Sequence, residues 1–118
     1  MQKNKKYNIQ DITKKIQYYC SIQDRCKWDV VRKMKDWGIG RESIEDIILE
    51  LEKERFLDEK RFSEAFCRGK FRIKKWGKIK IRKELLMKNI PESLIIKGLQ
   101  EIEEKDYRET LIDIYTKK

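Results

Sequence analysis

The residues that could do chemistry in this sequence are cations concentrated in one stretch. The chain carries 30 lysines and arginines against 21 acidic residues, a formal net charge of +9. Nine of those cations, with no acid among them, form what we call the cationic segment: Arg68, Lys70, Arg72, Lys74, Lys75, Lys78, Lys80, Arg82 and Lys83. The excess charge of the chain therefore lies in this one segment. Phosphates neutralised by such a segment release condensed counterions, so we expect the partner to be a nucleic acid, an acidic protein surface, or both.

Two aromatic residues, Phe71 and Trp76, lie inside the cationic segment. Aromatic rings can stack on unpaired bases, and arginine pairs bidentately with phosphate or carboxylate where lysine acts as a point charge. The alternative is that both rings belong to the hydrophobic core of a soluble helix, and we favour the core for them.

Catalytic and metal-binding residues are scarce in this chain. It has no histidine, the commonest general base, and no glycine-rich phosphate loop. Its three cysteines, Cys20, Cys26 and Cys67, form no Cys-x-x-Cys pair and are too few for a zinc site. We therefore expect free, buried thiols in a reducing compartment, no metal, no cofactor and no enzymatic activity.

Hydropathy places no part of the chain in a membrane. No apolar run approaches the length needed to cross a bilayer, and the polar residues Met1 to Tyr7 do not resemble a secretory signal. We predict a cytoplasmic protein with no membrane partner.

Apolar residues recurring at steps of three and four predict an all-α fold. The 43% of charged residues, five glycines and one proline are also typical of solvated helices. Seven helices are predicted. The first covers about 10–23, the third ends near Arg55, and the second, between them, is indicated by the apolar positions Val30, Val31, Met34 and Trp37. The fourth begins after Asp58, the fifth covers about 78–88, the sixth begins at Pro91, and the seventh begins near Asp106.

Several residues predict where these helices begin or end. Gly38 and Asn89 suit left-handed C-terminal caps, and Ser43 with Asp46 resembles a capping box. Phe62, Ala65, Phe66, Gly69 and Ile73 predict the buried face of the fourth helix. An alternative for the alternating apolar and cationic residues around Gly77 is a β-hairpin with one basic face.

The apolar positions repeat after 51 residues. Val30 corresponds to Ile81, Met34 to Leu85, Ile44 to Ile95, and the cap residue Gly38 to Asn89. We therefore predict tandem three-helix repeats in an elongated, curved array. The predicted divisions are an N-terminal tail (1–8), repeat 1 (9–56), repeat 2 (57–105) and the first helix of a truncated third repeat (106–118). A monomer is expected, with self-association through the truncated repeat as the alternative.

From about Ile12 to Tyr107, the sequence resembles the RecX family. Three stretches carry the resemblance: CKWDVVRKMKDWG from Cys26, LDEKRFSEAF from Leu57 and GKIKIRKELLMKNI from Gly77. The positions that fit the family pattern are Asp29, Val30, Lys33, Met34, Gly38, Asp58, Arg61, Phe62, Phe66, Gly77, Ile81, Glu84, Leu85 and Ile90. Cys26 replaces the family's serine, Ser63 its alanine and Asn89 its glycine.

The resemblance implies a regulator rather than an enzyme. RecX proteins lodge in the groove of the RecA filament on single-stranded DNA, hinder its growth and lower recombinase and coprotease activity in DNA repair and the SOS response. The cationic segment would then contact RecA or DNA phosphates. Members of the family usually have a third three-helix unit. The resemblance implies that this chain ends within the first helix of that unit. The rival function is a stand-alone helical module that reads duplex DNA as helix-turn-helix proteins do, with the basic fifth helix after Gly77 in the major groove.

Overall fold

The computed structural model describes residues 8–102, which form six α-helices and no strand. The helices are α1 (Ile9–Ile22), α2 (Lys27–Asp36), α3 (Arg41–Lys53), α4 (Glu59–Arg72), α5 (Lys78–Met87) and α6 (Glu92–Gln100). The predicted all-α fold is therefore confirmed, and the hairpin alternative around Gly77 is wrong. The predicted seventh helix, near Asp106, lies outside the described residues.

The chain divides between Glu59 and Lys60 into two compact units. In the first unit, α1, α2 and α3 pack against one another around Ile16, Val30, Met34 and Leu51, all of which are fully buried. Burying one such side chain stabilises the fold by about 1.5–3 kcal/mol. In the second unit, α5 packs against α6, and the fully buried side chains include Ile81, Leu85 and Ile95.

Left-handed residues end α2 and α5 as the sequence predicted. Gly38 has a φ of 80° and Asn89 a φ of 62°. The next residue in each unit, Ile39 or Ile90, donates its N–H at 3.1 Å to the carbonyl five residues earlier, on Met34 or Leu85. This is the Schellman arrangement, which satisfies carbonyls that a helix end would otherwise leave open.

Two predicted helix starts are wrong by one to three residues. The helix α3 begins at Arg41, and the N–H of Ile44 donates to the Gly40 carbonyl at 3.0 Å, so Ser43 lies inside the first turn instead of capping it. After the turn at Gly38 and the buried Ile39, the helical hydrogen bonds of α3 already begin at Gly40, three residues before the N-cap that the capping-box pattern predicted. Pro91 occupies the N-cap of α6 and not its first turn, because its ψ of 145° is extended.

The buried face of α4 also differs from the predicted stripe. The buried residues are Phe62, Ser63, Cys67 and Phe71, whereas Ile73 follows the end of the helix and is 78% exposed. This buried face is hard to recognise in the sequence, because it includes the small residues Ser63 and Cys67. A Cβ built on Gly98 of α6 would lie 2.9 Å from the Cys67 sulfur and 3.0 Å from the Ser63 carbonyl oxygen, so α4 and α6 meet where neither helix carries a large side chain.

The 51-residue register extends through all three helices of each unit. Both ends of α2 and α5 differ by 51, as do the first residues of α3 and α6. Ile12, Ile16 and Cys20 are buried in α1, and the residues 51 positions later, Ser63, Cys67 and Phe71, are buried in α4 together with Phe62. The predicted helical repeat is thus confirmed and includes the first helix of each unit.

The three thiols are free and buried, as predicted. Burial raises the pKa of Cys67 from 9.0 to about 11, opposed by the Arg68 guanidinium and reinforced by the carboxylates of Glu101 and Glu64. The thiolate is the reactive form of cysteine, and little of it exists at Cys67 near neutral pH.

We therefore expect iodoacetamide at neutral pH to label Cys67 much more slowly in the folded protein than in urea, as followed by peptide mass spectrometry. The raised pKa also makes stability fall as pH rises from about 9 to 11, since the unfolded thiol loses its proton while the folded thiol keeps it. A Cys67→Ser control should lack this component. Rapid labelling of Cys67 in the native protein would contradict the burial.

Candidate anion-binding interface

The nine residues of the cationic segment all lie in the second unit, around the joint between α4 and α5. Three are on α4: Arg68, Lys70 and Arg72. Four are on α5: Lys78, Lys80, Arg82 and Lys83. Lys74 and Lys75 lie in the connection. The structure thus brings residues of the segment together on two helices and the turn that joins them.

Two arginines of the cationic segment already form ion pairs with acidic side chains. The Nη2 and Nε atoms of Arg82 contact one carboxylate oxygen of Glu92 at 2.7 and 3.0 Å. Arg68 Nη1 lies 3.5 Å from Glu101 Oε1. Both pairs are about half exposed, where such pairs contribute little stability, but a ligand would have to displace a carboxylate to use either arginine.

Three lysines of the segment are the most available to a ligand. Lys74, Lys75 and Lys83 are exposed and make no ion pair with any residue between 8 and 102. Lys75 has a φ of 62°, in the left-handed region that favours glycine, and it turns the chain after α4. The available charge therefore lies on the connection and on the first two turns of α5.

Trp76 joins the two helices of this site. Its ring centroid lies 6.3 Å from that of Phe66 in an edge-on arrangement, and the ammonium groups of Lys70 and Lys80 lie 4.9 and 4.5 Å from it. The backbone N–H of Trp76 also donates to the Lys70 carbonyl at 3.0 Å. Cation–π contacts of this kind are worth about 0.5–2 kcal/mol. Phe71 is a core residue, as favoured from the sequence, whereas Trp76 is half-buried.

The outer face of α5 carries apolar as well as cationic side chains. Ile81 and Leu85 point inward and are fully buried, while Ile79 and Met87 are 80% and 67% exposed. Residues 79, 83 and 87 are four apart, so Lys83 lies between the two apolar side chains on one face. The sequence prediction missed this face, although the presence of apolar residues on both sides of a short helix could have indicated it.

Within residues 8–102, no group of three or more cysteine, aspartate or glutamate side chains is placed to hold a metal ion. In the same range, no helix is long and apolar enough to cross a membrane.

Two units with equivalent helices, caps and buried positions define the chain as an all-helical repeat protein. Residues 58–99 match the second three-helix domain of RecX. The regulatory protein RecX of Prosthecochloris aestuarii is 30% identical over 83 residues, and that of Bacillus cytotoxicus is 31% identical over 83 residues. The chain belongs to the RecX family.

Solved structures show the same fold. A crystal structure of regulatory protein RecX superimposes with a TM-score of 0.77 at 24% identity, covering 86% of this chain and 51% of that one. RecX from Lactobacillus salivarius gives a TM-score of 0.80 at 22% identity, covering 92% of this chain and 71% of that one. The aligned regions cover 70% of this chain, but only 55% of the Prosthecochloris protein and 31% of the Bacillus protein.

Proposed function

We propose that this protein is a non-enzymatic regulator that binds RecA and its filament on single-stranded DNA, and that it inhibits recombinase and coprotease activity. The observation that carries the proposal is the α4–α5 joint of a RecX-family chain. There, cations that make no ion pair with a described residue lie beside exposed apolar side chains. A nucleoprotein filament offers both phosphates and protein surface, so both kinds of side chain find a counterpart on it. Such a partner acts in the cytoplasm.

Each part of the joint suits a different part of that target. Lys74, Lys75 and Lys83 can approach phosphates or carboxylates without displacing an acidic partner among residues 8–102. Burying the exposed side chains of Ile79 and Met87 would lower the free energy of the complex. That burial requires an apolar partner surface, which phosphates do not offer. Apolar area surrounded by charge is typical of protein interfaces, and this favours RecA as a direct contact in addition to DNA.

Purified protein is expected to slow RecA's DNA-dependent ATP hydrolysis and strand exchange at low salt. Salt should weaken the inhibition, because cations that bind a polyanion compete with counterions. Steady-state ATPase and strand-exchange assays over a range of salt would measure both effects. If saturating protein leaves both reactions unchanged, the proposal is wrong.

The rival function is duplex reading by α5, which begins directly after Gly77 and exposes Lys80 and Lys83. A recognition helix reads base edges mainly through polar side chains, whereas the outer face of α5 includes Ile79 and Met87. This rival predicts sequence-dependent duplex binding without RecA. Gel shifts on random and selected duplexes distinguish the two functions.

A further inference from the structure

The first unit contains an open cleft between α1 and α2 that no part of the proposed function uses. Its volume is about 440 Å³, within the range of ligand sites. The lining is apolar side-chain surface with cations around it and includes no acidic residue: Lys14, Lys15, Tyr18, Tyr19, Ile22, Lys33 and Trp37.

An open aromatic face forms part of this cleft. Tyr18 is 69% exposed, and Ile22, one turn later on α1, is 58% exposed. The other aromatic residues are already engaged by cations. The Arg25 guanidinium lies 3.8 Å from the ring centroid of Tyr19, and the Lys15 ammonium lies 5.0 Å from that of Trp37. Tyr18 is therefore the ring on which a ligand can stack.

Among the residues that the structure describes, the lysines of the cleft have no acidic partner. Lys14, Lys15 and Lys33 make no ion pair with any residue in the described range. The core of this unit uses the opposite face of α1, through Ile12, Ile16 and Cys20. Tyr18 thus belongs to a second, outward face of α1, whose exposure the core does not explain.

The equivalent joint of the second unit has a related arrangement. The pair 51 residues after Tyr19 and Arg25 is Lys70 and Trp76. Both pairs form a cation–π contact, with the cation and the ring exchanged between the two positions. In each unit, therefore, an aromatic ring and a cation meet where the first helix is joined to the second.

We propose that the cleft binds one unpaired nucleobase of a single-stranded nucleic acid. The base would stack on the ring of Tyr18, and Lys14, Lys15 and Lys33 would hold the neighbouring phosphates. An open aromatic ring beside cations that make no ion pair with a described residue matches a base joined to a phosphate backbone. It matches an acidic peptide less well, because carboxylates need no open ring. Because stacking uses the π-face that every base has, binding should tolerate any sequence. The proposal does not rest on RecA binding.

The test is the affinity of the full chain for a short fluorescent oligothymidylate, without RecA, by anisotropy. Tyr18→Ala should weaken binding about tenfold, because it removes the ring on which the base would stack. Tyr18→Phe keeps the ring and should bind like the unmodified protein. Leu49→Ala is the matched control, because Leu49 on α3 is 65% exposed and does not line the cleft.

An abasic strand of the same length separates stacking from charge. The unmodified protein should bind it more weakly than oligothymidylate, and Tyr18→Ala should bind the two strands alike. Three results would overturn the proposal: oligothymidylate affinity unchanged in Tyr18→Ala, an equal loss in Leu49→Ala, or Tyr18-dependent binding of a glutamate-rich peptide but not of the strand. Inhibition of RecA is scored separately, so the failure of either proposal is distinguishable from that of the other.

Discussion

Replacing Lys74, Lys75 and Lys83 together by glutamate is expected to remove most of the protein's affinity for the RecA–single-stranded DNA filament. All three are exposed and make no ion pair with a described residue, whereas Lys80, which is also exposed, lies against the Trp76 ring. If each contacts one phosphate, the log–log dependence of affinity on salt should become shallower by about 2, at about 0.7 per phosphate. Co-sedimentation with the filament across a salt series measures both the loss and the slope.

A matched control makes the same change in net charge elsewhere. Lys35, Arg41 and Lys53 are exposed in the first unit and likewise make no ion pair with a described residue. Their triple glutamate variant should keep nearly all filament affinity at moderate salt, because none of the three belongs to the α4–α5 joint or lines the cleft of the first unit, and salt screens the remaining effect of net charge. Equal losses in the two variants would show that net charge alone, and not the α4–α5 joint, governs binding.

The largest expected effect on stability comes from Gly98→Val. The first added carbon would meet the Cys67 sulfur at 2.9 Å and the Ser63 carbonyl oxygen at 3.0 Å, and valine adds two further carbons beyond it. The backbone oxygen cannot move aside without displacing α4. Overpacking of this kind typically costs about 1–3 kcal/mol in the free energy of unfolding.

Gly69→Ala is the control for this substitution, since nothing lies within 4 Å of a Cβ at Gly69 and its backbone is helical. Alanine is more favourable than glycine in a helix by about 0.5–1 kcal/mol, so Gly69→Ala should stabilise the protein. Urea unfolding followed by circular dichroism compares the two variants. A midpoint for Gly98→Val at or above that of the unmodified protein would contradict the close approach of α4 and α6.

The sequence alone was enough to predict the six helices between residues 8 and 102, apart from the exact starts of α3 and α6, the left-handed residues Gly38 and Asn89, and the repeat. These features arise from local causes. Helix periodicity sets the apolar spacing, and only certain residues tolerate a positive φ. The excess of cations in one segment is likewise a property of the chain, independent of how it packs.

Tertiary packing decided which face of α4 is buried and which charges remain available. Ser63 and Cys67 carry no strong apolar signal, and they are buried because Gly98 lets α6 come close to them. The pairing of Arg82 with Glu92 joins residues of two different helices, and the cleft around Tyr18 exists only where α1 meets α2. The periodicity of a sequence specifies on which face of its own helix a side chain lies. Whether that side chain is buried, forms an ion pair or lines a cleft depends on which residues of the neighbouring helix lie opposite it.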